Sequence, residues 1–281
     1  MIVTVARWFY GLGIAGIGLQ HFFFGKFIPV VVPLWPAWIP GGRFWVYCVG
    51  AVLLVCAGAI LTGIRARTGA LVLGALFALS AVLLHIPAEM MGGWSSLGAW
   101  TNAFKALTFA GGALIVAGSL PGNAWDAASA GMRKRLITLG MHGPAITMVV
   151  FGIDHFLYAP FVAMLVPAWI PGHLFWTYFA GVALIASGLG MIFRVQARLA
   201  AMLLGVMIFL WLLMLHIPRA VADPYGAVGN EVTSVFEALA FSGIAFILWQ
   251  TLPAREWLFA RGEAGRAHAA ALRDRKPSFE G

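Results

Sequence analysis

Pro36-Ala37-Trp38-Ile39-Pro40-Gly41 recurs unchanged as Pro167-Ala168-Trp169-Ile170-Pro171-Gly172. Its surroundings recur as well. Upstream, Gly18-Leu19-Gln20-His21-Phe22 is answered by Gly152-Ile153-Asp154-His155-Phe156; downstream, Phe44-Trp45 is answered by Phe175-Trp176. Six identical residues that include a tryptophan and two prolines do not arise by chance between unrelated segments, so the chain reads as a tandem duplication. Each copy sets an apolar helix ending in histidine before a loop rich in proline and tryptophan, with a second apolar helix after it.

Composition then fixes the solvent. Hydrophobic residues make up 62% of the chain and charged residues 10%, with a mean hydropathy of +0.91. A soluble domain carries about 25% charged residues, so most of this chain is solvated by lipid. The formal net charge of +8 is spread between apolar runs and forms no basic face for phosphates, which argues against a nucleic-acid partner. It reads instead as an orientation signal for insertion. Cys48 and Cys56 lie in one apolar run; on a helix their eight-residue spacing is about 12 Å of rise, too far for a disulfide, so both read as packing residues. The N-terminal apolar stretch resembles a signal peptide only superficially, because its histidine-bearing end has a counterpart deep inside the chain.

A helix needs roughly 20 apolar residues to span the hydrocarbon. Eight runs qualify, near 3–24, 44–64, 69–88, 101–120, 137–158, 174–193, 199–218 and 232–251. Backbone groups must pair internally in lipid, and none of the runs alternates as a barrel strand does. The expected fold is therefore all-α and integral to the membrane: eight transmembrane helices as two parallel four-helix bundle repeats. Residues 1–120 form the first repeat, 121–135 a cytoplasmic linker, 136–253 the second repeat and 254–281 a basic cytoplasmic tail. Fourteen basic residues fall on one side of these spans; only Lys26, Arg43, Lys105 and Arg219 fall on or near the other. The bias places both termini in the cytoplasm. Four helices per copy, an even number, make the repeats parallel and related by a pseudo-two-fold along the membrane normal.

Histidines recur in pairs. His21 matches His155, and His85 in Leu84-His85-Ile86-Pro87 matches His216 in Leu215-His216-Ile217-Pro218. In the derived topology each pair lies near the external face. Neutral imidazoles ligate haem iron or pass protons, and the loop carrying Trp38 or Trp169 is placed to act as a lid. The plainer alternative is that each histidine bonds a carbonyl freed by a nearby proline or sits wet at the interface. The copies also differ: Gln20 becomes Asp154 and Lys105 becomes Glu237. The second copy thus offers Asp154, His155, His216 and Glu237 near one level for a cation or proton relay, although neighbouring helix positions diverge by about 100° and Asp154 and His155 cannot aim at one point. Lys105 and Glu237 also fit a structural charge pair joining the repeats. No phosphate-binding glycine loop, Cys-x-x-Cys, His-Glu-x-x-His or nucleophile elbow is present in the sequence, and no metal set is read from it.

A four-helix unit whose first helix ends in Gly18-Leu19-Gln20-His21-Phe22, followed by Gly25-Lys26-Phe27 and a Pro/Trp loop, resembles the DoxX family. The short basic turns with Arg65-Ala66-Arg67 and with Arg194 and Arg198, and the fourth helix entered by a polar residue and Glu237, add to the likeness. The resemblance implies a small bacterial inner-membrane protein, present here as a tandem fusion. It also implies a redox-associated component that interacts with quinone or haem and with a redox partner subunit. A transporter or channel for a small solute or ion, and a purely structural assembly subunit, are the alternatives from other classes.

Overall fold

A computed structural model describes residues 1–33, 39–91, 97–121 and 127–253. Trp38 and the 254–281 tail lie outside those residues. The described residues are all-helical, without a strand. The helices are α1 (Ile2–Phe24), α2 (Gly42–Thr62), α3 (Ala66–Met91), α4 (Thr101–Ser119), α5 (Ala127–Leu157), α6 (Ala159–Leu165), α7 (His173–Ile192), α8 (Ala197–Ala222) and α9 (Gly226–Thr251). Helix α5 begins at Ala127, so residues 127–135 of the expected linker extend that helix.

Seven of these helices are long and apolar enough to cross a membrane: α1, α2, α3, α5, α7, α8 and α9. The chain is a multi-pass membrane protein. Helix α4 is not among the seven, because Asn102 and Lys105 open it with polar side chains. Thirteen of its 19 residues are buried, so neighbouring helices rather than lipid surround it, and its lower hydropathy follows from that position.

The packing departs from two separate bundles standing side by side. Consecutive helices pack within each copy, but α1 meets α4 only slightly and packs along α9; α5 packs along α4. Helix α4 thus lies between α3 and α5, helix α9 between α8 and α1, and α4 and α9 touch. Shape enforces this packing. A methyl at Gly111 of α4 would strike the Gly140 carbonyl of α5, and one at Gly16 of α1 would strike the Phe236 ring of α9. In α5 Pro144 has no N–H for the Gly140 carbonyl four residues earlier; the bare Gly111 lets α4 close over that carbonyl, as small residues do in membrane helix contacts.

Helices α3 and α8 each contain one π turn, at Ala81–His85 and Leu212–His216. Each ends on the histidine two residues before a proline. Pro87 and Pro218 cannot donate to the turn above and their rings crowd it, and the widened turn relieves that crowding.

Candidate functional site

In the first copy the chain leaves α1 through Gly25, whose φ of 60° is a left-handed cap, and dives back into the protein. Ile28, Val30, Val31 and Val32 are all buried. Irregular backbone at this depth survives only when protein satisfies its polar groups. The two histidines do this. His21, fully buried, has Nδ1 2.9 Å from the Ile17 carbonyl, and its Nε2 accepts the Ile28 N–H at 3.4 Å. The acceptor role of Nε2 fixes the proton on Nδ1, so the ring is neutral and both nitrogens are used. His85, also fully buried, places Nε2 3.3 Å from the Val30 carbonyl, while its Nδ1 is buried without a partner. The Ser80 hydroxyl donates to the Val31 carbonyl. His21 and His85 therefore converge, as the sequence leads one to expect, but on a loop and not on an open ligand position.

The second copy is built differently at the same place. Trp211 stands where Ser80 stands, five residues before the second histidine of the pair. Its indole stacks on His155 with ring centroids 6.0 Å apart and planes 17° from parallel. That indole leaves no hydroxyl to hold a re-entrant loop. The connection is also shorter, with 12 positions from His155 to Pro167 against 15 from His21 to Pro36. It forms α6, whose Phe161 and Met164 are exposed. Trp169 is exposed as well. Among the described residues His155 keeps one bond, from Nδ1 to the Phe151 carbonyl at 2.7 Å. With a proton on Nδ1 committed there, Nε2 has no partner among the described residues.

His216 makes no hydrogen bond to the described residues. It lies within electrostatic reach of Lys105, Arg219 and Glu231. Asp154 Oδ1 is buried and unpartnered. Glu237, by contrast, is engaged: its Oε2 is 2.7 Å from Lys105 Nζ, with side-chain exposures of 6% and 18%. The pair bridges α4 and α9, the fourth helices of the two copies. Because the two residues occupy matching positions in the two copies, each meets its own counterpart across the centre of the molecule.

Two polar contacts are not apparent from motif reading. Arg219 grips Glu231 in a bidentate fork, Nε to Oε2 at 2.8 Å and Nη2 to Oε1 at 2.7 Å, joining α8 to α9. Gln20 of α1 donates from Nε2 to the Gly229 carbonyl and accepts from Thr233 Oγ1, both at 3.1 Å. The available signal for Arg219 and Glu231 is two opposite charges flanking the Asp223-Pro224 break between two apolar runs; for Gln20 it is an amide beside a histidine in an apolar helix. Asp154 in the second copy replaces Gln20 and makes no such bridge. Among the described residues, no three His, Cys, Asp or Glu side chains group to hold a metal ion.

No family model, curated protein or solved structure matches the chain. The site is therefore read from its own geometry.

Proposed function

We propose that the chain is a tandem of two DoxX-like four-helix units with eight membrane spans, α4 being the eighth, in a bacterial inner membrane with both termini cytoplasmic. Its function, in this reading, is that of a redox-associated membrane component that handles a quinone at the external end of the second copy. The first copy's histidines are structural there, and the second copy carries the chemistry. The observation that supports this division is the count of unpartnered protonatable atoms. His155 Nε2, the His216 ring and Asp154 Oδ1, three groups, have no hydrogen-bond partner among the described residues, whereas in the first copy both nitrogens of His21 are occupied and His85 leaves Nδ1 alone unpartnered. Quinone reduction and oxidation move protons with electrons, and neutral imidazoles near a carbonyl oxygen are suited to giving and taking them. The Trp211–His155 stack adds an aromatic wall for a planar ring. Electrons would come from or go to a partner subunit.

The test is extraction of purified protein followed by mass analysis for quinone, repeated on His155→Ala and His216→Ala. Co-purified quinone that falls in both variants, with His21→Ala excluded from the comparison because it opens the first copy's loop, is the expected result. Protein free of quinone, which binds no added short-chain quinone yet passes protons in liposomes until Asp154→Asn is introduced, would replace this reading with the transport one.

A further inference from the structure

We infer that the end of the bundle opposite the histidines holds a phosphate-bearing anion, gripped by Arg7, Arg67 and Arg133 where α4 terminates. Three helices send these arginines to the same few carbonyls. Arg7 of α1 donates from Nε to Ser119 Oγ at 3.1 Å and from Nη2 to the Ser119 carbonyl at 3.2 Å. Arg67 of α3 donates from Nη2 to the Leu120 and Pro121 carbonyls, both at 3.1 Å. Arg133 of α5 donates from Nε to the Gly118 carbonyl at 3.2 Å. All three are half-buried, while the nearby Arg65, Lys134 and Arg135 are exposed.

Charge does not balance at this point. The C-terminus of a helix offers about half a negative charge, against three full positive ones. The ion pairs among the described residues are Lys105–Glu237 and Arg219–Glu231, both at the other end, so no carboxylate among the described residues pairs with the cluster. Arg7 and Arg133 instead feel each other's like charge. A second observation is independent of the charge count. Arg67 Nε is buried and has no acceptor; a buried donor of this kind calls for a missing partner.

Capping of a helix end does not by itself explain three arginines. Helix α9 is the counterpart of α4, and it ends at Thr251 without an arginine bonded to its last carbonyls among the described residues. At the matching positions the second copy has Met141 in place of Arg7, and Arg198, which makes no hydrogen bond to the described residues. The excess of donors is confined to one end of one central helix. Guanidinium forks suit the tetrahedral oxyanion of a phosphate, with paired donors set at the spacing of its oxygens. At the end of membrane-spanning helices that chemistry is available from the phosphodiester of an anionic phospholipid or from free phosphate.

The full chain in nanodiscs separates these sources. Its thermal midpoint is compared in phosphatidylglycerol and phosphatidylcholine, and in phosphatidylcholine with added inorganic phosphate; native mass spectrometry then counts retained lipid. A midpoint raised by phosphatidylglycerol, with lipid retained, assigns the site to headgroups. A rise with inorganic phosphate alone assigns it to the free anion. Arg67→Gln should weaken the effect by about tenfold or more, the loss expected for one charge-assisted hydrogen bond, while Arg65→Gln leaves it unchanged. If Arg67→Gln fails to fold, Arg133→Gln and the wild-type comparison still decide. Equal midpoints in both lipids with no response to phosphate would overturn the inference, and so would an equal loss in Arg65→Gln.

Discussion

Reversing the charges of Lys105 and Glu237 gives the sharpest test of how the two halves of the chain are joined. At 2.7 Å, two unit charges attract by roughly 6 kcal/mol at an effective dielectric constant of about 20. Taking both out of water offsets much of that, so the pair's net worth is far smaller. The asymmetric cost is what a variant measures. Removing one partner leaves the other charge buried, typically a loss of about 3–5 kcal/mol. Glu237, with 6% of its side chain exposed, is the less tolerant residue to strand, so Lys105→Met should destabilise more than Glu237→Gln. Lys105→Glu sets two carboxylates at the same contact and should cost at least as much as Lys105→Met. Restoring the attraction in the swapped Lys105→Glu, Glu237→Lys protein should recover half or more of that loss. The measurement is a double-mutant cycle on unfolding of detergent-solubilised protein. A coupling of about 2–3 kcal/mol is expected, at the upper end for residues in contact. A coupling under about 0.5 kcal/mol, or a swapped variant as unstable as the two singles added together, would refute the claim that this pair holds α4 against α9.

The clasp on the re-entrant loop and the packing between the copies make two further predictions. His21→Ala removes two hydrogen bonds and a fully buried ring, for a loss of about 2–4 kcal/mol; His155→Ala, half-buried with one bond, should lose about 1–2 kcal/mol. A cysteine at Val30 should resist a water-soluble maleimide in the parent and react once His21→Ala is added; equal stability losses with no change in labelling would count against the clasp. Gly111→Ala forces a methyl onto the Gly140 carbonyl and Pro144 and should cost about 1–3 kcal/mol as an overpacked contact. Gly58→Ala, with nothing within 4 Å of the added carbon, should be neutral or stabilise by up to about 1 kcal/mol; similar unfolding midpoints for the two would show that α4 and α5 are not pressed together at Gly111.

How much of this molecule is legible in its sequence depends on which physical quantity decides each feature. Helices and their solvent are legible because an 18–20 residue apolar run has few alternatives in lipid. The two π turns have a sequence cause as well, in the Leu-His-Ile-Pro repeats ending at Pro87 and Pro218. The packing of α4 and α9 is not legible. Both helices present similar stripes of small residues, so hydropathy cannot choose between a neighbour from the same copy and one from the other; the choice is made by local shape at Gly16, Gly111 and Gly140. The histidines show the limit most clearly. Two matched pairs at matched depth suggest two matched sites, yet their roles are set by a third position outside either motif. Ser80 supplies a hydroxyl for the Val31 carbonyl, and with it a longer loop can be drawn inward and its backbone satisfied by His21 and His85. Trp211 fills the same position with an indole, and the shorter connection runs over the surface as α6. One substitution and three missing residues thus separate a histidine pair that holds a re-entrant loop from one that does not. A reader of the sequence sees Gln20 become Asp154 and turns to the second copy for its negative charge; the structural difference between the copies lies instead in the re-entrant loop that the first has and the second lacks.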